Sequence, residues 1–181
     1  MDNYKVINDK YFQYGEETQQ NLHNLKDKIQ NIKDLEILVN ELNNLERQIT
    51  LFHSKIIKEL NDFYKIDIVG FHGQTIYHNS QERISKQLGD GRLLSQLTKK
   101  DIVFNFRKDD LNNNGEGAPL TPIFHQLIVK KLKFKLPICI LNIGGISNIT
   151  LINEMTRSSG LTSRDIGPGN CMIDSWIRNN S

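Results

Sequence analysis

The chain has 181 residues, and its 23 Lys and Arg nearly balance its 21 Asp and Glu, for a formal net charge of +2. So even a balance gives no electrostatic argument for a nucleic acid or an anionic membrane as partner. No window of about 18 apolar residues exists to form a transmembrane helix, and no apolar run follows Met1–Lys5 to form a signal peptide. Cys139 and Cys171 have no Cys or His at metal-ligand spacing, so a reducing, cytoplasmic setting is expected and a disulfide framework is not.

Hydrophobic content is 38%, on the low side for a globular chain. The deficit sits in the first 65 residues, which are rich in Asn, Gln, Lys and Glu. Residues 16–62 read as helical. Leu35, Leu38, Leu42, Leu45, Ile49, Phe52, Ile56 and Leu60 recur at three- and four-residue spacing, which predicts a long amphipathic helix over 33–62. Its apolar stripe suits packing against a sheet better than a coiled coil.

At residue 66 the period changes. Ile66–Phe71 reads as a strand ending at His72-Gly73-Gln74-Thr75, and Ile76–His78 continues extended. Arg92–Leu94 and Asp101–Phe104 are further strand candidates, and the polar, Gly/Asn-rich residues 107–118 read as a loop. Pro119–Pro122 opens a helix that runs to about Phe134. Strands follow at 138–143 and 146–152, then a loop over 154–164, the segment Asp165–Asn170, and a helix from about Cys171. Strands alternating with helices predict an α/β class.

Five segments offer chemistry. His72, Gln74 and Thr75 stand at a strand's C-terminal end, where α/β sheets bind ligands, and their donors and acceptors suit a hydroxyl-rich molecule; a capped turn is the plain alternative. In Asn105–Asp110, an aspartate just past a strand can serve as a general base. There Arg107 and Lys108 can bind substrate anions or keep that carboxylate ionised; a solvated charged loop is the alternative. Gly115-Glu116-Gly117-Ala118-Pro119 places small residues before a helix N-terminus, which favours anions or polar ligands.

Ile138–Thr150 reads as strand, tight turn and strand; its Gly144-Gly145 pair makes either a bare hairpin or a backbone cradle for phosphate. In Asp165–Asn170 two glycines flank a proline, and Asp165 can reach a sugar hydroxyl or a hydrated magnesium ion, or Asn170 can simply cap a helix. Trp176 reads as a packed side chain, His53 as packed or half-exposed, and His125 as either core-facing or substrate-facing. Zinc-ligand spacing, a nucleophile elbow, a Walker A loop and a Rossmann fingerprint are all absent from the sequence.

Taken in order, the motifs are more specific than any one of them. Gly70–Thr75, Gln87–Asp90, Phe106–Asp110, Gly115–His125, Asn142–Thr150 and Asp165–Asn170 with Asp174-Ser175-Trp176 together resemble the anhydro-N-acetylmuramic acid kinase family, strongly over residues 66–176 and weakly before them. The resemblance implies the actin-like ATPase (ribonuclease H-like) fold of sugar kinases, here incomplete. Residues 1–135 would form the N-terminal lobe without its first phosphate loop, and 136–181 the start of the second, nucleotide-binding lobe. It implies an enzyme of peptidoglycan recycling that opens the 1,6-anhydro ring and phosphorylates O6, using ATP with Mg2+ held through phosphates rather than by protein ligands.

By the same resemblance Asp110 is the catalytic base, and His72, Gln74, Thr75, Arg107, Glu116, Gly117, Ala118, Pro119 and His125 face the sugar. Asn142, Gly144, Gly145, Asn148, Asp165, Gly167, Gly169 and Asn170 lie at the nucleotide. Asn105, Glu116 and Ile166 stand where the family usually has Asp, Gln and Thr. The resemblance further implies that this length of chain alone has little or no activity. It would be a sugar-binding half of a split enzyme or a remnant, with a homodimer or a complementing fragment as partner.

Overall fold

A computed structural model describes residues 4–155 and 160–180. They fall into two compact units, one of residues 9–117 and one of 4–8 with 118–180. The sequence reading divides the chain after residue 135; the contacts divide it between Gly117 and Ala118 and group the helix after Pro122 with the strands that follow.

The 9–117 unit begins with helices α1 (Glu16–Lys28), α2 (Ile32–Ile37) and α3 (Val39–Phe63). The long helix expected over 33–62 is therefore broken at Leu38. A capping box starts α2: Asn31 Oδ1 accepts from Lys33 N at 2.9 Å, and Asp34 Oδ2 accepts from Asn31 N at 2.9 Å. The apolar stripe nonetheless does what its spacing predicts. Leu42, Leu45 and Ile49 of α3 join Leu25, Ile29, Ile76 and Leu88 in one buried cluster; the second cluster takes Ile57, which the predicted stripe did not include, with Phe71 and Leu94, while the stripe's Ile56 is half-buried.

Strands β1 (Ile68–Gly70) and β4 (Asp101–Val103) pair in parallel, while β2 (Gln74–Asn79) and β3 (Ile84–Leu88) form an antiparallel hairpin with a bulge between Thr75 and Tyr77. Arg92–Leu94 is not a strand but part of helix α4 (Gly91–Thr98). Asp90 decides this, because its Oδ1 accepts from both Arg92 N (2.9 Å) and Leu93 N (3.0 Å), an N-cap. Helix α3 holds that cap in place. Thr50 Oγ1 accepts from Asp90 N at 2.9 Å, and Glu46 Oε1 accepts from Gly89 N and from Lys86 Nζ, both at 3.1 Å. Residues 107–118, read as loop, are helical up to Asn112 in α5 (Phe106–Asn112) and irregular only beyond it.

In the second unit, helix α6 (Pro122–Leu132) packs on an antiparallel sheet of order β5-β6-β7, made of β5 (Ile138–Ile143), β6 (Ile146–Ile152) and β7 (Leu161–Pro168). The expected loop over 154–164 lies partly outside the described residues, and its end is already strand. Asp165, Ile166, Gly167 and Pro168 are likewise on β7, and only Gly169 and Asn170 of that segment lie between the strand and the next helix. Helix α7 (Cys171–Asn180) follows, and Trp176, read as a core residue, is 67% exposed on it. Both cysteines are free and exposed, and no described helix is long and apolar enough to cross a membrane.

Ile49, fully buried on α3, anchors the larger cluster. Ile49→Ala removes about 2–5 kcal/mol of stability, read as a lower urea midpoint at unchanged slope.

Candidate functional site

Four residues in the 9–117 unit form a closed polar clasp. Asp110 sits on α5, half-buried, and its Oδ2 accepts from Gly117 N at 2.7 Å. Arg107, one helical turn earlier, donates from Nη1 to Gly117 O at 2.8 Å and from Nε to His72 Nε2 at 2.9 Å. Since His72 Nε2 accepts, its proton lies on Nδ1, which donates to Gly73 O at 2.9 Å. The loop after β1 is thus fastened to the loop carrying Gly117, and Gly117 in turn to the carboxylate. Gly115 completes the clasp: a Cβ there would collide with the Asp110 carboxylate. Gly117 has φ +72, and a Cβ on it would meet Leu111 at 2.9 Å and His78 Cε1 at 3.0 Å. Only glycine meets both demands cheaply.

A second polar row crosses the β2–β3 hairpin beside it. Gln87 Nε2 donates to Thr75 Oγ1 (3.3 Å) and Ser85 Oγ (2.9 Å), and Ser85 Oγ lies 3.0 Å from His78 Nδ1. Of the sequence-predicted residues, His72, Arg107, Gly117 and Asp110 meet directly, and Thr75 joins this neighbouring row. Gln74 and Glu116 are exposed and enter neither. Sequence reasoning placed Gly115 in a sugar-facing segment but missed His78, Ser85 and Gln87 as site residues. The alternation of Ser85 and Gln87 about Lys86 was the available signal, since a strand puts such a pair on one face.

Ala118, Pro119, His125 and the nucleotide-side candidates belong to the other unit. His125 Nδ1 lies 2.8 Å from Thr150 Oγ1, on a fully buried Thr, so this histidine is tied to the sheet. Asn142 pairs with Asn148 across β5–β6, and Asn148 with Asp165 across β6–β7, so two amides and a carboxylate form one cross-strand row. Asn148 Oδ1 is buried without a hydrogen-bond partner, an acceptor that calls for a hydroxyl or a cation-bound water. The Gly144-Gly145 turn is fixed from one side: Gly144 O accepts from Asn170 N (2.8 Å) and Gly145 O from Gly169 N (2.9 Å). Gly169 must lack a side chain because a Cβ would strike Gly144 O, whereas around Gly145 no heavy atom lies within 4 Å of that position. Gly167, on β7 with φ +150, is equally open. Backbone this bare can be approached closely by a phosphate chain, so the residues present fit such a group. Among the described residues no three His, Cys, Asp or Glu side chains cluster to hold a metal directly.

A family model described as anhydro-N-acetylmuramic acid kinase matches residues 2–181. The chain belongs to that family. It is 56% identical over 178 residues to the anhydro-N-acetylmuramic acid kinase of Pelagibacter ubique, covering 97% of this chain and 47% of that relative. The kinase of the same name from Agrobacterium fabrum is 42% identical over 144 residues (76% of this chain, 38% of the relative), and that from Gluconobacter oxydans 39% over 136 (72% and 37%). The chain therefore spans less than half the length of these relatives. Two of the three departures from the family's usual residues have a visible setting. Asn105 starts α5 at φ 65, a left-handed conformation that Asn tolerates well. Ile166 is half exposed on β7.

Arg107 positions the Gly117 amide on Asp110. Arg107→Gln frees the Gly117 carbonyl, and the Gly117 amide then exchanges with solvent deuterium at least about ten-fold faster by NMR. Burial holds the His125 pKa below the ordinary histidine value of 6.5. The unfolded chain then binds the proton more readily, so stability is complete above about pH 6.5 and falls as acidification proceeds toward the folded value. A melting-temperature series from pH 7.5 to 5 shows this fall, and His125→Asn flattens it.

Proposed function

We propose that this chain carries the sugar-binding and water-activating part of an ATP-dependent anhydro-N-acetylmuramic acid kinase, acting in peptidoglycan recycling. The observation that carries the reading is the state of Asp110. One carboxylate oxygen is occupied by the Gly117 amide, and Oδ1 has no hydrogen bond among the described residues. A carboxylate so held can take a proton from a water aimed at the anomeric carbon, as the paired carboxylates of glycoside hydrolysis do. In the 9–117 unit His72 and Gln74, exposed at the hairpin's start, with Thr75 and Glu116, are the proposed sugar contacts, and Arg107 holds the clasp.

The bare Gly144-Gly145 turn, Asn142, Asn148, Asp165, Gly167, Gly169 and Asn170 are the proposed nucleotide side. ATP bound there supplies the phosphoryl group for O6. Asn148 Oδ1 and Asp165 suit a hydrated Mg2+ carried on the phosphates, since Mg2+ keeps most of its waters. The parallel β1–β4 pair and the antiparallel β5-β6-β7 sheet support the actin-like ATPase fold. The exposed free thiols support a cytoplasmic address.

Phosphoryl transfer needs positioning and charge neutralisation around the whole γ-phosphate, and the described residues offer one bare glycine turn for it. We therefore propose slow or no turnover by the 181 residues alone. Exposed Leu141, Ile143, Met172, Ile173 and Ile177 favour a second copy or a complementing polypeptide as partner.

Calorimetry of the 181-residue chain with anhydro-N-acetylmuramic acid and no nucleotide gives saturable binding; its absence removes the reading. In a coupled Mg-ATP assay any measurable turnover is lost in Asp110→Asn. Turnover that survives this change assigns the base elsewhere.

A further inference from the structure

His125, Thr150 and Ser163 form a polar relay within the second unit. His125 stands on α6, and Thr150 and Ser163 are partners in the β6–β7 register. His125 Nδ1 lies 2.8 Å from Thr150 Oγ1, and Thr150 Oγ1 lies 3.4 Å from Ser163 Oγ. Ser163 Oγ donates to Ile149 O at 2.8 Å. Thr150 is fully buried and His125 half-buried.

Proton counting sets the direction of each bond, because a hydroxyl has a single proton to give. The Ser163 proton goes to the Ile149 carbonyl, so Ser163 Oγ can only accept from Thr150. With its own proton directed to Ser163, Thr150 Oγ1 accepts from the ring, which places the histidine proton on Nδ1. Turning the Thr150 hydroxyl toward the ring would make one bond fewer and set oxygen lone pairs against each other, whereas bonds in a chain strengthen one another. Nε2 is left with a lone pair and has no hydrogen-bond partner among the described residues. Asn148 Oδ1 is the atom found both buried and unpartnered there, so Nε2 meets solvent. Burial disfavours the imidazolium and keeps that lone pair free.

We infer that Thr150 and Ser163 are positioning residues: they hold the His125 proton on Nδ1, so that Nε2 is a standing acceptor for a hydroxyl of a bound ligand. An imidazole in water exchanges its proton between the two nitrogens; here the Nδ1 proton closes a relay that ends on a backbone carbonyl. The anhydro sugar and the ribose of ATP are the two sources of such a hydroxyl. Naming them rests on the kinase reading above, whereas the relay does not.

The test begins with a long-range nitrogen–proton NMR spectrum of the chain at about pH 7.5, above the ordinary histidine pKa. His125 shows Nδ1 protonated and Nε2 unprotonated. In Ser163→Ala the Thr150 hydroxyl has only the ring left to donate to, so the proton moves to Nε2. Ser163→Thr keeps it on Nδ1, and unchanged amide shifts elsewhere confirm that both variants are folded. A proton on Nε2 in the original chain, or a tautomer that Ser163→Ala leaves in place, overturns the positioning role. Anhydro-N-acetylmuramic acid and ATP are then titrated separately. The ligand that supplies the hydroxyl moves the Nε2 resonance toward its protonated frequency and binds Ser163→Ala at least about three-fold more weakly. Binding of either or both with Nε2 unmoved overturns the acceptor role while the kinase reading stands. Failure of both to bind overturns the acceptor role together with that reading.

Discussion

The Arg107 guanidinium is the contact on which the candidate site depends. Its planar fork donates in two directions at once, to His72 across 35 residues of sequence and to the Gly117 carbonyl across 10. A lysine could satisfy one of these acceptors but not both in a fixed geometry. With the Gly117 carbonyl held, its amide faces the Asp110 carboxylate, and Gly115 supplies the space that carboxylate occupies. A short irregular segment becomes a rigid seat for an ionised group in this way, without a strand or long helix behind it.

The seat is itself held by helix α3. Ile49 and its neighbours bury the apolar face of α3 against β2 and β3, which fixes where the hairpin lies. On the same helix Glu46 and Thr50 reach the β3–α4 turn and satisfy its backbone amides. These polar groups cost little to bury because each finds a charged or amide partner. The helix that composition marks as the most polar part of the chain thus does two jobs: it forms the core and it sets the loop from which α4 begins. In the other unit, the Gly144-Gly145 turn and the start of α7 are tied by two backbone hydrogen bonds, so the bare turn is also braced rather than free.

Local chemistry made much of this legible. The three- and four-residue spacing of leucines gave the helical N-terminal region, and the continuous apolar run gave β5. The proline at Pro122 and the glycine pair gave α6 and the hairpin. The failures have specific causes. Arg92-Leu93-Leu94 is too short a run for periodicity to choose between helix and strand, and the Asp90 cap decided it. The Asn/Gly composition of 107–118 hid a helix of only seven residues, which closes on Leu111 in the core. Leu161–Pro168 forms a strand because β6 offers it a partner, which its own mixed sequence does not announce.

The sequence by itself determined the family, through an ordered series of short motifs each anchored by Gly, Pro, Asp or His. It also determined the stripe of α3 and the existence of a bare turn at Gly144-Gly145, since these depend on residue types a few positions apart. Only the tertiary structure decided which of the marked residues meet. It showed Arg107 bridging His72 and Gly117, Gly115 as the space for Asp110, and Gln87 and Ser85 as part of the neighbouring polar row. It also brought Asn142, Asn148 and Asp165 into one row. Such meetings join segments tens of residues apart. They are set by how helices and strands bury their apolar faces, which no short window of sequence contains.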